Sequence, residues 1–185
     1  MTNEELVKNY KNFLSSAKTE RECVSEIITQ AENAGYKNLE KVKKVKAGDK
    51  VYITKMNKAV ALFNIGSEDL EKGMNILGAH IDSPRLDAKQ NPLYEKHNIT
   101  YLNTHYYGGI KKYQWTALPL ALHGIVCKTD GTVVNVVIGE EADDPVFCIS
   151  DILPHLAQEQ MKKTASDFIK GDDIDVIMGS FVIPK

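Results

Sequence analysis

Asn75-Ile76-Leu77-Gly78-Ala79-His80-Ile81-Asp82-Ser83-Pro84 is a short apolar run that delivers a histidine and an aspartate, two positions apart, to its carboxyl end. Read as a strand, it puts His80 and Asp82 on one face and turns Ile81 back toward a core, because successive strand side chains alternate. Ser83-Pro84 closes the run, since proline has no N–H to give to a ladder. An imidazole that binds a metal through one ring nitrogen commonly donates its other N–H to a carboxylate, which fixes the tautomer and makes the ligand more basic. His80 is therefore a candidate metal ligand, with Asp82 as its orienting carboxylate or as a direct contact to the metal. A surface hydrogen bond is the competing reading of so short a pattern.

Upstream of this run the pattern is helical. Thr2-Asn3-Glu4-Glu5 is a capping box, and Leu6, Tyr10, Phe13, Leu14 and Ala17 follow at helical spacing. Thr19 and Glu22 repeat the box ahead of a stripe of Cys23, Val24, Ile27, Ile28 and Ala31, with Gly35 as the stop. The lysine-rich run Lys41 to Lys50 reads as a solvated loop rather than a phosphate clamp. Val51 to Thr54 and Ala59 to Asn64 read as two strands around a Met56-Asn57-Lys58 turn, and Asn75 to Ala79 as a third, more buried strand.

Downstream of Pro84 the character changes to a polar, aromatic, turn-rich segment from Asp87 to Trp115, and a domain boundary is expected near Gln90. Leu118 to Lys128 and Thr132 to Ile138 are β-rich runs joined through Asp130-Gly131, a hairpin signal. Ser150-Asp151 is expected to cap a helix with Pro154 in its first turn, carrying Ile152, Leu153, Leu156 and Met161 and ending before Gly171. A closing strand is expected from Ile174 to Val182, and the ending at Phe181-Val182-Ile183-Pro184-Lys185 reads as a cut. The overall class is α/β, with residues 1–90 as one domain and 91–185 as a second, β-rich and incomplete one.

Composition narrows the function. The 185 residues carry 23 basic and 25 acidic side chains, a formal net charge of −2, so no global field exists to hold nucleic acid or an anionic membrane. No nucleic-acid or membrane partner is expected; small molecules or peptides are. The longest apolar stretch, Ala117 to Leu122, falls far short of the ~20 residues of a transmembrane helix, and the polar start, Met1 to Glu5, lacks a secretory pattern. Three cysteines, Cys23, Cys127 and Cys148, with no Cys-x-x-Cys pair, read as reduced packing residues in a cytoplasm. Paired Gly108-Gly109 lacks the spacing of a phosphate loop, and Ser83 lacks a nucleophile elbow. Glu140-Glu141-Ala142-Asp143-Asp144 lacks the ligand order of a calcium loop and reads as solvated. His97, His105 and His123 share no ligand spacing and read as surface or hydrogen-bonded histidines.

Taken together, Gly78-Ala79-His80-Ile81-Asp82-Ser83-Pro84-Arg85-Leu86, Tyr107-Gly108-Gly109 and Pro154-His155-Leu156 resemble the M18 family of zinc aminopeptidases, the aspartyl-aminopeptidase group. Thr104 to Trp115 is similar to a segment of its bacterial branch, and the resemblance covers nearly the whole chain. It implies part of an α/β catalytic domain with helices flanking a mixed sheet, interrupted by a β-rich dimerisation domain. It further implies two zinc ions bridged by a water or hydroxide, a glutamate general base, and removal of one N-terminal amino acid from a peptide. By motif match, His80 is a zinc ligand and Asp82 its orienting catalytic carboxylate. His155 matches the histidine that the dimerisation domain projects into a neighbouring subunit's active site, so the resemblance implies a homo-oligomer, a dimer building a twelve-subunit shell.

One departure is plain. The relatives' bridging aspartate, Glu-Glu pair, further aspartate and distal histidine have no recognisable counterpart before Lys185. One histidine and one carboxylate do not hold a zinc pair, since catalytic zinc takes about three protein ligands. The chain is therefore expected to be an amino-terminal fragment, inactive alone. The alternatives are a non-catalytic binding or dimerisation module derived from the family, and a related two-metal peptidase or deacylase of different substrate.

Overall fold

Two capping boxes start the two helices of the computed structural model, which describes residues 1–180. The Thr2 hydroxyl accepts from the Glu5 N–H at 3.2 Å while the Glu5 carboxylate accepts from the Thr2 N–H at 2.7 Å, opening α1 (Asn3–Ser16). Thr19 and Glu22 repeat this reciprocal pair at 3.3 and 2.9 Å ahead of α2 (Glu20–Asn33). α2 closes as a Schellman motif: Gly35 takes φ 87°, its N–H reaches the Glu32 carbonyl, and the Tyr36 N–H reaches that of Ala31 at 2.9 Å.

These helices belong to the first of two compact units, Met1–Ser83 and Pro84–Lys185. In the first, β1 (Lys37–Asn38) runs parallel to β2 (Lys50–Lys55), which pairs antiparallel with β3 (Ala59–Asn64). The β2–β3 turn needs positive φ at both central residues, and Met56 and Asn57 supply it at 53° and 52°. Cys23, Val24 and Ala31 of α2 and Val51 and Tyr52 of β2 are buried. The Tyr52 hydroxyl donates to Glu32 at 2.7 Å, tying strand to helix; that bond to an acceptor carboxylate, with burial, raises the phenol above its ordinary range. α1 buries none of its residues, and Leu6, Val7, Tyr10 and Leu14 stay exposed.

The expected third strand is absent. Asn75 to Ala79 has no ladder, Ile76 is exposed and Leu77 is 100 % exposed. An apolar run becomes a buried strand only where neighbours take up its N–H and C=O groups, and none does so among the described residues.

The second unit is β-rich, with the break at Ser83/Pro84 falling ahead of Gln90. The stretch expected to be turn-rich is instead a long antiparallel hairpin, β4 (Arg85–Lys96) and β5 (Ile99–Tyr107). Its turn is made by His97 and Asn98, both at positive φ (54° and 60°). The register slips between Ala88 and Leu93, so Lys89, Gln90, Asn91 and Pro92 bulge out and the proline is spared a ladder position. β8 (Val176–Gly179) adds to β5 antiparallel, after β6 (Leu122–Cys127) and β7 (Val133–Ile138) have formed a separate hairpin through Asp130-Gly131. β8 covers part of the expected closing strand, whose last residues, Phe181 and Val182, lie outside the described residues.

Residues 151–170 do not form the expected helix but a chain of turns. A short helix holds in water only when its apolar face is packed, and Ile152, Leu153, Leu156 and Met161 are all exposed. The core lies elsewhere, in Phe147, Ile149, Ile169, Ile174 and Val176, with Leu86, Leu102, Trp115 and Phe168 packed against it.

Asp175 links this core to the hairpin, accepting from the Thr104 N–H at 2.9 Å and the Tyr94 hydroxyl at 2.7 Å. Burial, reinforced by that carboxylate, pushes Tyr94 up to about 12. Its folded value exceeds its unfolded one, so this contribution to stability is complete below the unfolded pKa of ~10 and is lost as pH rises through the folded value. Absorbance titration at 295 nm is expected to show Tyr94 and Tyr52 ionising later than the remaining tyrosines, and Asp175→Asn to bring Tyr94 down.

The acidic loop after β7 has a structural purpose. Asp144 accepts from the backbone N–H groups of Gly139, Glu140 and Glu141 at 2.8, 3.2 and 3.2 Å, which holds its carboxyl below the usual range. Gly139 sits at φ 103°, and a Cβ there would lie 3.0 Å from the Ala121 Cα. Gly139→Ala is expected to cost about 1–3 kcal/mol of strain, read as a lower urea midpoint.

Candidate metal-ligand pair

His80 and Asp82 lie outside any helix or strand rather than at a strand end, yet they meet. His80 Nδ1 is 3.1 Å from Asp82 Oδ1 and 3.2 Å from the Asp82 carbonyl oxygen. Carboxylate and carbonyl only accept, so Nδ1 must carry the proton. The neutral imidazole then keeps its lone pair on Nε2, the nitrogen left for a metal. The His80 side chain is 86 % exposed, so no packing blocks it.

The chain immediately after the pair is fixed in place. Pro84 packs over Gly108, where an added Cβ would lie 3.5 Å from the proline. Arg85 is paired with Tyr107 across the hairpin, its guanidinium stacks 4.3 Å from that ring, and its Nε donates to Asp87 at 2.7 Å. Pro84-Arg85 and Tyr107-Gly108, distant in sequence, are thus one contact. The sequence reading missed it; the alternation of Arg85 and Asp87 was the available signal.

His155, the other candidate, sits exposed on a turn in the second unit. His123, left out as a candidate, is a hydrogen-bonded histidine: Nε2 lies 2.9 Å from Glu140 Oε1 and only 11 % of its side chain is exposed. Among the described residues no group of three or more histidine, cysteine or acidic side chains gathers as a metal cage. The donor set of His80 with Asp82 fits one oriented imidazole ligand and no more.

A mixed α/β fold with one oriented imidazole, joined to a β-rich unit, is the class these observations define. The family model described as aminopeptidase I zinc metalloprotease (M18) matches residues 13–181. A Clostridium acetobutylicum protein, "Probable M18 family aminopeptidase 1", is 57 % identical over 175 residues, covering 92 % of this chain and 38 % of its own length. The crystal structure of an M18 aminopeptidase from Thermotoga maritima superposes with a TM-score of 0.90 at 43 % identity, covering 97 % of this chain and 39 % of that one. That of aminopeptidase I from Clostridium acetobutylicum gives 0.82 at 55 % identity, over 96 % and 39 %. The chain belongs to the M18 family of aminopeptidases, zinc metalloproteases, and spans about two-fifths of the length of these relatives.

Proposed function

We propose that this chain is the amino-terminal part of a zinc aminopeptidase that removes single N-terminal residues from peptides. The observation that carries this reading is the His80–Asp82 pair at 3.1 Å, with Nδ1 occupied, which leaves Nε2 for a metal. His80 would hold one zinc of a two-metal site, and Asp82 keeps the imidazole in the binding tautomer. Bound zinc lowers the pKa of a coordinated water to about 7 and polarises carbonyl groups. The remaining ligands and the general-base glutamate belong to later segments of a longer protein. Residues 1–90 are then catalytic-domain sequence and 91–185 a dimerisation insert.

His155 on its exposed turn donates a hydrogen bond to the oxyanion that develops in a neighbouring subunit's active site, so catalysis needs the homo-oligomer, a dimer-based shell of twelve. The compartment is cytoplasmic, in keeping with three free cysteines; no helix among the described residues is long and apolar enough to cross a membrane.

The test is the denatured mass of the native gene product against the 20.7 kDa of this chain, followed by a metal-dependent assay on peptides and on N-acyl amino acids. A mass above twice that value with release of N-terminal residues is expected. A mass of 20.7 kDa, or cleavage of N-acyl amino acids alone, overturns the reading.

A further inference from the structure

The 151–161 segment is not a helix, but neither is it slack. Asp151 Oδ1 accepts from the Ile152 N–H at 2.8 Å and from Gln160 Nε2 at 3.1 Å, so one carboxylate oxygen closes both ends of the turn series. Between these ends the Leu153 carbonyl accepts from the Leu156 N–H at 2.9 Å and the Ala157 N–H at 3.1 Å, while the Met161 N–H reaches the Ala157 carbonyl at 2.8 Å. Ala157 is 3 % exposed and pins the base, whereas Leu153, His155 and Leu156 are exposed. His155 thus rides exposed on a hydrogen-bonded turn within a loop whose two ends are tied by side chains.

Gln160 shows what the tie demands. Its Oε1 is buried with no hydrogen-bond partner among the described residues. Leaving a buried acceptor unpaired is unfavourable, and an apolar side chain of similar shape would avoid that cost. The compensation is the Nε2 donation to Asp151, stronger than a neutral hydrogen bond because the acceptor is charged.

We infer that Asp151 and Gln160 are positioning residues: their side-chain clasp fixes the loop that presents His155, and so sets how well that imidazole meets the reacting carbonyl. The inference rests on the oxyanion role proposed for His155. A clasp that acts only through His155 affects the transition state more than substrate binding, because small displacements of a hydrogen-bond donor weaken it most where charge develops.

The test is steady-state kinetics of the full-length oligomer on a peptide substrate. Asp151→Ala and Gln160→Met are each expected to lower kcat about tenfold or more with KM little changed. Asp151→Asn, which keeps the Oδ1 acceptor, is expected to recover most of that loss. Neither Asp151→Ala nor Gln160→Met should lower kcat further in a His155→Ala background. If Asp151→Ala does not assemble, Gln160→Met cuts the clasp from its other end and carries the same comparison. Unchanged kcat in Gln160→Met while His155→Ala is impaired overturns the clasp and leaves the role of His155 standing. An equal loss with and without His155 also overturns it, by showing a general structural effect. Full activity of His155→Ala removes the role of His155 and the clasp with it.

Discussion

His80→Ala in the full-length protein is expected to lower kcat/KM more than about a hundredfold and to reduce bound zinc after dialysis. The lower bound follows from comparison with its partner: loss of a residue that merely orients a ligand costs 10–100-fold in metal affinity or activity, on the order of what Asp82→Ala should show, and loss of the ligand exceeds it. Asp82→Asn should fall between Asp82→Ala and the native protein, since an amide oxygen still accepts from His80 Nδ1 but without charge. In the metal-free protein His80→Ala is expected to change stability by about 0.5 kcal/mol or less, because the His80 side chain is 86 % exposed. Zinc content by atomic absorption, kcat/KM, and a melting curve on the same preparations give the check. Undiminished activity in His80→Ala would remove the metal role altogether.

The parts of this chain legible in its sequence are those with local signals. Thr2/Glu5 and Thr19/Glu22 fix helix starts within four residues of chain, Gly35 fixes a stop, and Asp130-Gly131 fixes a hairpin. His80 and Asp82 were legible for the same reason, being adjacent enough that backbone geometry alone brings them together. What escaped depends on partners far along the chain. β4 is disguised by the bulged Lys89 to Pro92, which breaks its alternation, and by a turn at His97-Asn98 that takes positive φ without glycine. The pairs His123–Glu140 and Arg85–Tyr107 join residues that only strand register makes neighbours. The two overcalled elements, the strand at Asn75 to Ala79 and the helix after Asp151, share the opposite fault: apolar residues at the right spacing, but no surface among the described residues to pack on.

Ile174→Ala is expected to be the most destabilising single truncation, because Ile174 is 0 % exposed at the centre of the second unit's cluster and its carbonyl accepts from the Thr104 hydroxyl at 2.7 Å. Deleting the buried methylenes of an isoleucine costs about 2–5 kcal/mol, the transfer term plus the cavity left behind. The upper half of that range applies where the walls cannot collapse, and here they are tied: Thr104 on one side holds the backbone, and Asp175 beside it is held by Tyr94. Ile149, 1 % exposed in the same cluster, should give a comparable loss, and the double variant should lose less than the sum because the two share walls. Ile152→Ala, half exposed on the turn series, should stay within about 0.5 kcal/mol. The chain has one tryptophan, Trp115, packed against this cluster, so its fluorescence during urea denaturation reports the second unit alone. A midpoint lowered at unchanged slope means the native core was weakened without altering what unfolds; an unmoved midpoint in Ile174→Ala would place the core elsewhere.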